Sequence, residues 1–157
     1  LAPPDSIIDC NESGTTLRLL IGLCSILDAP CTLSGAPSLI RRPNKPLLDA
    51  LEQIGVQTHS DAGYPPITVT GKMKGRYAEI PGDVSSQFIS SIILAAPYAE
   101  TPVELRITTQ LESKPYVKMT LEAMKKSGIK AECSENLEHF HIPNGEYNPL
   151  KTRIEGD

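Results

Sequence analysis

The feature that most constrains this chain is that it repeats itself. LDALEQIGV, residues 48–56, aligns without a gap on LEAMKKSGI, residues 121–129, at an offset of 73 residues. Arg42-Pro43 and Lys114-Pro115 open the two segments 72 residues apart, and Ile80-Pro81-Gly82-Asp83 is echoed by Ile154-Glu155-Gly156-Asp157 at an offset of 74. Self-similarity at one period marks a supersecondary unit used more than once.

Each copy reads strand, helix, strand, helix, strand, strand. The first runs over residues 5–76 and the second over 77–148, with 149–157 starting a third. In the first copy the expected strands are Ile7–Cys10, Cys31–Ser34, Val56–His59 and Ile67–Thr70, with helices over Gly14–Leu27 and Pro46–Ile54. In the second they are Tyr77–Ile80, Val103–Thr108, Ile129–Cys133 and His139–Ile142, with helices over Val84–Ala96 and Tyr116–Ser127. The later helix of each copy is amphipathic (Leu47, Leu48, Leu51 and Ile54; Leu121 and Met124) and is followed by a glycine, Gly55 or Gly128. A glycine there suits the left-handed turn that closes many helices. The earlier helix is apolar nearly all round, as a buried helix is, except in its first turn.

Those first turns carry the functional signal. Ser13-Gly14-Thr15-Thr16 opens one helix, and Ser85-Ser86-Gln87 opens the other within PGDVSSQFISSIILAAP, residues 81–97. A helix N-terminus has unpaired N–H groups and partial positive charge, so hydroxyls there cap it, and the same geometry receives an anion. One copy alone reads equally well as a cap or a ligand site. Two copies, each followed by a basic residue just before a proline (Arg42, Lys114), favour a ligand. Arg41, Arg42 and Lys45 sit at a helix start, where cations oppose the macrodipole, so a bound anion explains them better than a solvated face does. Arg18 lies one turn inside an apolar helix, which calls for an anion or a structural carboxylate partner.

Composition excludes several classes. With 39% hydrophobic and 22% charged residues the chain is expected to be globular. A net charge of −4, no tryptophan and two phenylalanines argue against a nucleic-acid binder. No apolar run approaches a bilayer span and no leader pattern is visible, so the chain reads as a cytoplasmic protein with no membrane partner. Cys10, Cys24, Cys31 and Cys133 show no metal-finger or redox spacing and read as reduced core or edge residues. His139 and His141 share a strand face but lack a third ligand nearby, so they read as surface histidines, with no metal site.

Taken in order, ESGTTLRLL, GAPSLIRRPNKPLLDAL, PGDVSSQF, ESKPYVKMTLEAM and RIEGD resemble the 3-phosphoshikimate 1-carboxyvinyltransferase (enolpyruvylshikimate-phosphate synthase) family along the whole chain. The resemblance implies an α/β fold of repeated βαβαββ units with buried helices and outer sheets, an inside-out α/β barrel. It implies transfer of an enolpyruvyl group from phosphoenolpyruvate to the 5-hydroxyl of shikimate 3-phosphate, with no metal or organic cofactor. On the same basis Ser85, Ser86, Gln87 and Ser113 would hold shikimate 3-phosphate, with Tyr116 nearby. Gly14, Arg42 and Gln87 would contact phosphoenolpyruvate, and Arg18 would line its pocket. The family's acid–base residues fall outside this stretch, so no catalytic residue is expected here. The chain reads as a fragment covering much of the family's first domain, inactive by itself, whose partners are the two substrates and the rest of the same enzyme.

Two positions depart from the pattern. Glu12 stands where many members have asparagine, and Leu19 where some have proline. A carboxylate at Glu12 would repel phosphoenolpyruvate unless it turns away or pairs with an arginine. Three alternatives remain at this level. The enolpyruvyltransferase of UDP-amino sugars would need a cysteine near residues 36–42, where none occurs. The others are a non-catalytic module binding a phosphorylated metabolite and a structural or RNA-end-processing relative.

Overall fold

In the computed structural model, which describes residues 3–151, the two copies of the repeat fold alike. The first holds β1 (Ile8–Asp9), α1 (Gly14–Cys24), β2 (Cys31–Ser34), α2 (Lys45–Gln53), β3 (Gln57–Asp61) and β4 (Tyr64–Thr70). The second holds β5 (Arg76–Ile80), α3 (Ser86–Ala95), β6 (Val103–Ile107), α4 (Lys114–Lys126), β7 (Glu132–Cys133) and β8 (His139–Ile142). Each copy closes a four-stranded mixed sheet, in the orders β1-β2-β4-β3 and β5-β6-β8-β7. The first two strands of each are parallel and the rest antiparallel.

Local chemistry accounts for these elements. β6 alternates buried Val103, Leu105 and Ile107 with exposed Glu104 and Arg106, the period-two pattern of a strand with one wet face. Pro46 and Pro115 sit in the first turns of α2 and α4, where no intrahelical N–H is lost. Gly55 and Gly128 follow the ends of those helices with φ of 91° and 93°, a region costly for any residue with a Cβ. The core lies between the sheets and around α3, whose Phe88, Ile89, Ile92 and Ile93 are all fully buried. Each such side chain stabilises the fold by about 1.5–3 kcal/mol.

The structure corrects several boundaries. α1 stops at Cys24, not Leu27. The Ser25 Oγ donates to Gly22 O at 2.6 Å, and Ile26 and Leu27 bond three residues back, which tightens the chain into a turn. β4 begins at Tyr64, ahead of the expected Ile67. Pro65 and Pro66 are tolerated because the register shifts opposite them, between His59 and Asp61, where no ladder bond is required of them. β7 begins only at Glu132, because Ile129 N–H closes the end of α4 on Met124 O. Residues 149–151 form no regular element, and most of the strand expected over 149–157, with RIEGD, lies outside the described residues.

A larger correction concerns α1. The sequence suggests burial on every side, but only Leu17, Ile21, Gly22 and Cys24 among its apolar face, with Gly14, are buried. Leu19, Leu20 and Leu23 instead line an open groove of about 740 Å³, with Ile26, Leu94 and Tyr98 among their neighbours. Its partner α3 is buried nearly all round. Cys10, Cys24 and Cys31 are buried and unbridged, and Cys133 is exposed on β7. Burial, reinforced by Cys31, pushes the Cys24 thiol up to about 12, so this group stays a neutral core thiol.

Candidate functional site

Helix N-termini and the side chains around them build one site. Ser85 caps α3, its Oγ accepting from Gln87 N–H at 3.3 Å. Ser13 caps α1 in the same way, accepting from Thr16 N–H at 3.1 Å and from Thr16 Oγ1 at 2.8 Å. These hydroxyls therefore do act as caps, and the caps leave other groups free to converge.

Between the two mouths runs a cross-helix network. Arg18 Nη1 donates to Gln87 Oε1 at 2.7 Å and to Ser85 Oγ at 3.3 Å. Gln87 Nε2 in turn donates to Thr15 Oγ1 at 2.7 Å, which fixes the orientation of the amide between α1 and α3. The Arg18 guanidinium also lies over the Phe88 ring, 5.0 Å from its centroid. Among the described residues its hydrogen-bond and ring partners are neutral. Burial first, and the Arg42 guanidinium second, push the Arg18 pKa down. Arg42 packs against the start of α1, since a Cβ on Gly14 would lie 3.1 Å from its Nη1. Among the described residues neither arginine joins an ion pair with a carboxylate.

The loop before α3 is braced from the second sheet. Thr109, just past β6, accepts at Oγ1 from Gly82 N–H (2.9 Å) and Asp83 N–H (3.2 Å) and donates to Asp83 Oδ1 (2.8 Å). Glu112 N–H adds a bond to Gly82 O at 3.0 Å. The Pro-Gly-Asp turn thus locks the mouth of α3 to the segment leading into α4.

Arg18, Ser85, Ser86, Gln87, Ser113 and Tyr116 line one open cavity of about 780 Å³. Ser86 is largely buried and Tyr116 stands exposed at the rim. Ser113 precedes α4 with a left-handed φ of 53° and makes no side-chain cap bond. Gly14 and Arg42 do not line this cavity. They form the adjoining end of the site, joined to it through Arg18.

Other expected residues go elsewhere. Lys45 pairs with Asp49 at 2.7 Å, and Lys114 lines a smaller polar cavity of about 460 Å³ with Arg106 and His139. Glu12 accepts from Ser38 Oγ at 3.2 Å, a hydroxyl rather than an arginine. His141 Nδ1 meets Glu104 Oε1 across the β6–β8 pair at 2.6 Å. No three His, Cys, Asp or Glu side chains gather closely enough to hold a metal among the described residues. None of the described helices is long and apolar enough to cross a membrane.

The sequence reading missed three side chains that build this geometry. Thr109 braces the turn. Fully buried Asn44 donates from Nδ2 to Arg42 O at 2.9 Å. Ser91 donates to Arg18 O at 2.6 Å. Only Thr109 had a local signal, in the unpaired amides of the Pro-Gly-Asp turn.

Known proteins share this sequence pattern and fold. A sequence profile of EPSP synthase (3-phosphoshikimate 1-carboxyvinyltransferase) matches residues 1–157. The 3-phosphoshikimate 1-carboxyvinyltransferase of Methanocorpusculum labreanum is 42% identical over 156 residues, 99% of this chain and 36% of that protein. That of Methanocaldococcus jannaschii is 40% identical over 161 residues, 100% of this chain and 37% of the relative. The chain therefore spans little more than a third of the length of these relatives. Among solved structures, EPSP synthase from Acinetobacter baumannii superposes with a TM-score of 0.79 at 26% identity, over 94% of this chain and 32% of that one. The enolpyruvyl transferase NikO from Streptomyces tendae shares the fold, with a TM-score of 0.53 at 18% identity over 83% of this chain and 29% of its own. With a profile match along its whole length and two sheets of one topology, this chain belongs to the EPSP synthase family.

Proposed function

We propose that this chain forms the shikimate 3-phosphate site, and part of the phosphoenolpyruvate site, of an enzyme that transfers an enolpyruvyl group between them. The observation that carries the reading is the meeting of Arg18 and Arg42 at the mouth of α1. Their guanidinium groups approach one another and no carboxylate pairs with either among the described residues. A half-buried Arg18 with the exposed Arg42 cation beside it and no carboxylate partner favours an anion between or beside them.

Ser85, Ser86, Gln87 and Ser113 are assigned to the phosphate and ring hydroxyls of shikimate 3-phosphate, with Tyr116 against the ring. Gly14 N–H, Arg42, Arg18 and the Gln87 amide are assigned to phosphoenolpyruvate. Arg42 supplies a planar fork that matches a carboxylate or phosphate. In the reaction the 5-hydroxyl gives up its proton as its oxygen bonds to C2 of phosphoenolpyruvate, and the methylene carbon takes a proton to become a methyl group. Loss of phosphate from C2 and of one proton from that methyl group then forms the carbon–carbon double bond of the enol ether. The residues here bind and orient. They include no group assigned to the proton transfers, which belong to the part of the relatives that this chain does not cover. That remainder is also proposed to cover the apolar groove beside α1, and the whole to act in the cytoplasm without a metal or organic cofactor. The repeat divides the chain into units at 5–76 and 77–148, with 149–157 leading into another.

Family membership favours shikimate 3-phosphate over a UDP-amino sugar as acceptor. Calorimetric titration of the 157-residue chain with each compound tests the choice. Heat of binding with shikimate 3-phosphate and none with the UDP-sugar is expected. The reverse result overturns the reading. Phosphate release from phosphoenolpyruvate by this chain alone is expected to be nil.

A further inference from the structure

Helices α1 and α3 cross more closely than two ordinary side chains permit. A Cβ on Gly22 would fall 2.4 Å from both the backbone oxygen and the Oγ of Ser91. At that crossing Ser91 reaches into the hydrogen-bond ladder of the other helix. Its Oγ accepts from Gly22 N–H at 3.1 Å and donates to Arg18 O at 2.6 Å. Residues 18 and 22 supply the acceptor and donor of a single i, i+4 step of α1.

A buried serine in a helix ordinarily returns its hydroxyl to its own i−4 carbonyl. Ser91, only 1% exposed, bonds a neighbouring helix instead, where solvent does not compete for it. The far end of Arg18 is held from the same helix mouth, by Ser85 and Gln87. One element therefore grips Arg18 at both its carbonyl and its guanidinium.

We infer that Ser91, admitted by Gly22, is a positioning residue that sets the depth of the Arg18 guanidinium at the anion pocket. With the carbonyl of Arg18 bonded to α3, displacement of α1 along its axis no longer carries the guanidinium away from Ser85 and Gln87. This inference rests on the proposed role of Arg18 in binding an anionic substrate.

The test compares Ser91→Ala with Ser25→Ala, which removes a buried hydroxyl at the C-terminal end of α1, bonded to Gly22 O. In the ligand-free chain, the Arg18 Nε–Hε resonance is expected to move in Ser91→Ala and to stay in place in Ser25→Ala. Affinity for phosphoenolpyruvate, the anion to which Arg18 is assigned, read by calorimetry with shikimate 3-phosphate present, is expected to fall about five- to tenfold in Ser91→Ala alone, the effect of one hydrogen bond. Ser91→Cys, similar in volume and a poor hydrogen-bonding group, must repeat both effects and guards against a folding defect in the alanine variant. An unmoved Arg18 resonance, or an affinity loss matched by Ser25→Ala, reduces Ser91 to a tie between helices. If the parent chain fails to bind shikimate 3-phosphate, the functional reading falls, while the ligand-free resonance still decides whether Ser91 positions Arg18.

Discussion

The second helix of each copy starts in a different way. In the first copy α2 starts after Asn44, which is fully buried and donates its Nδ2 to the Arg42 carbonyl. In the second copy α4 starts after Ser113, which is exposed, left-handed in φ and without a cap bond. The earlier helices differ in a matching way. The mouth of α1 presents Gly14 with Arg42 packed against it, while that of α3 presents Ser86 and Gln87. One fold has been used twice, once to hold cations by their backbones and once to leave hydroxyls and an amide facing a cavity. On the function proposed above, the two copies serve as complementary halves of an anion site, their caps having diverged while their sheets did not.

The most direct way to break that comparison is to make the second mouth as bare as the first. Ser86→Ala combined with Gln87→Ala removes two hydrogen-bonding groups from the proposed phosphate site. Two bonds to a charged group are worth about 3–6 kcal/mol together, so shikimate 3-phosphate affinity is expected to collapse while circular dichroism still shows a folded chain. Ser13→Ala, at the other mouth, should lower stability by about 1 kcal/mol through the lost cap and leave that affinity unchanged. Equal losses of affinity in both variants would mean that the copies do not divide the work.

The first copy is tested by its cation. Arg42→Lys keeps the charge and removes the planar fork. In a whole family enzyme carrying this stretch, the Michaelis constant for phosphoenolpyruvate is expected to rise roughly tenfold, about 1.4 kcal/mol, with a smaller change for shikimate 3-phosphate. Equal effects on both substrates would make Arg42 a structural residue of the α1–α2 corner.

How much of this was legible in the sequence follows from the distance between partners. The repeat itself, the strand at Cys31–Ser34 and the helix glycines are local patterns, and they read directly. The place of Ser85, Ser86 and Gln87 at the mouth of an apolar helix was local in the same way, whereas the ligand they are proposed to hold has no partner in the chain to read. Pro65 and Pro66 concealed the start of β4, since the bulge that accommodates them lies on another strand. Ser91 was invisible for a related reason. A serine within SSIILAA looks like a tolerated small residue until α1 lies across it, and its partner is 73 residues away. The open side of α1 was misread because apolar composition reports what a helix would bury, not what is present to bury it.

The smallest effect concerns Ser113 and asks whether its backbone conformation serves the fold or the site. A left-handed φ of 53° at a residue with a Cβ costs about 1–2 kcal/mol relative to glycine. Glycine loses more chain entropy on folding, which offsets about 0.4–1 kcal/mol of that gain. Ser113→Gly is therefore expected to stabilise the chain by up to about 1.6 kcal/mol in urea unfolding, and at the same time to weaken shikimate 3-phosphate binding through loss of the hydroxyl. Ser113→Ala separates the two terms, because it loses the hydroxyl and keeps the strain: binding should weaken as in the glycine variant, with no gain in stability. Opposite signs for stability and binding in Ser113→Gly would identify a conformation held for the ligand. A glycine variant that loses stability as well would mean that the serine supports the start of α4, and the contrast with Asn44 would then be one of geometry alone.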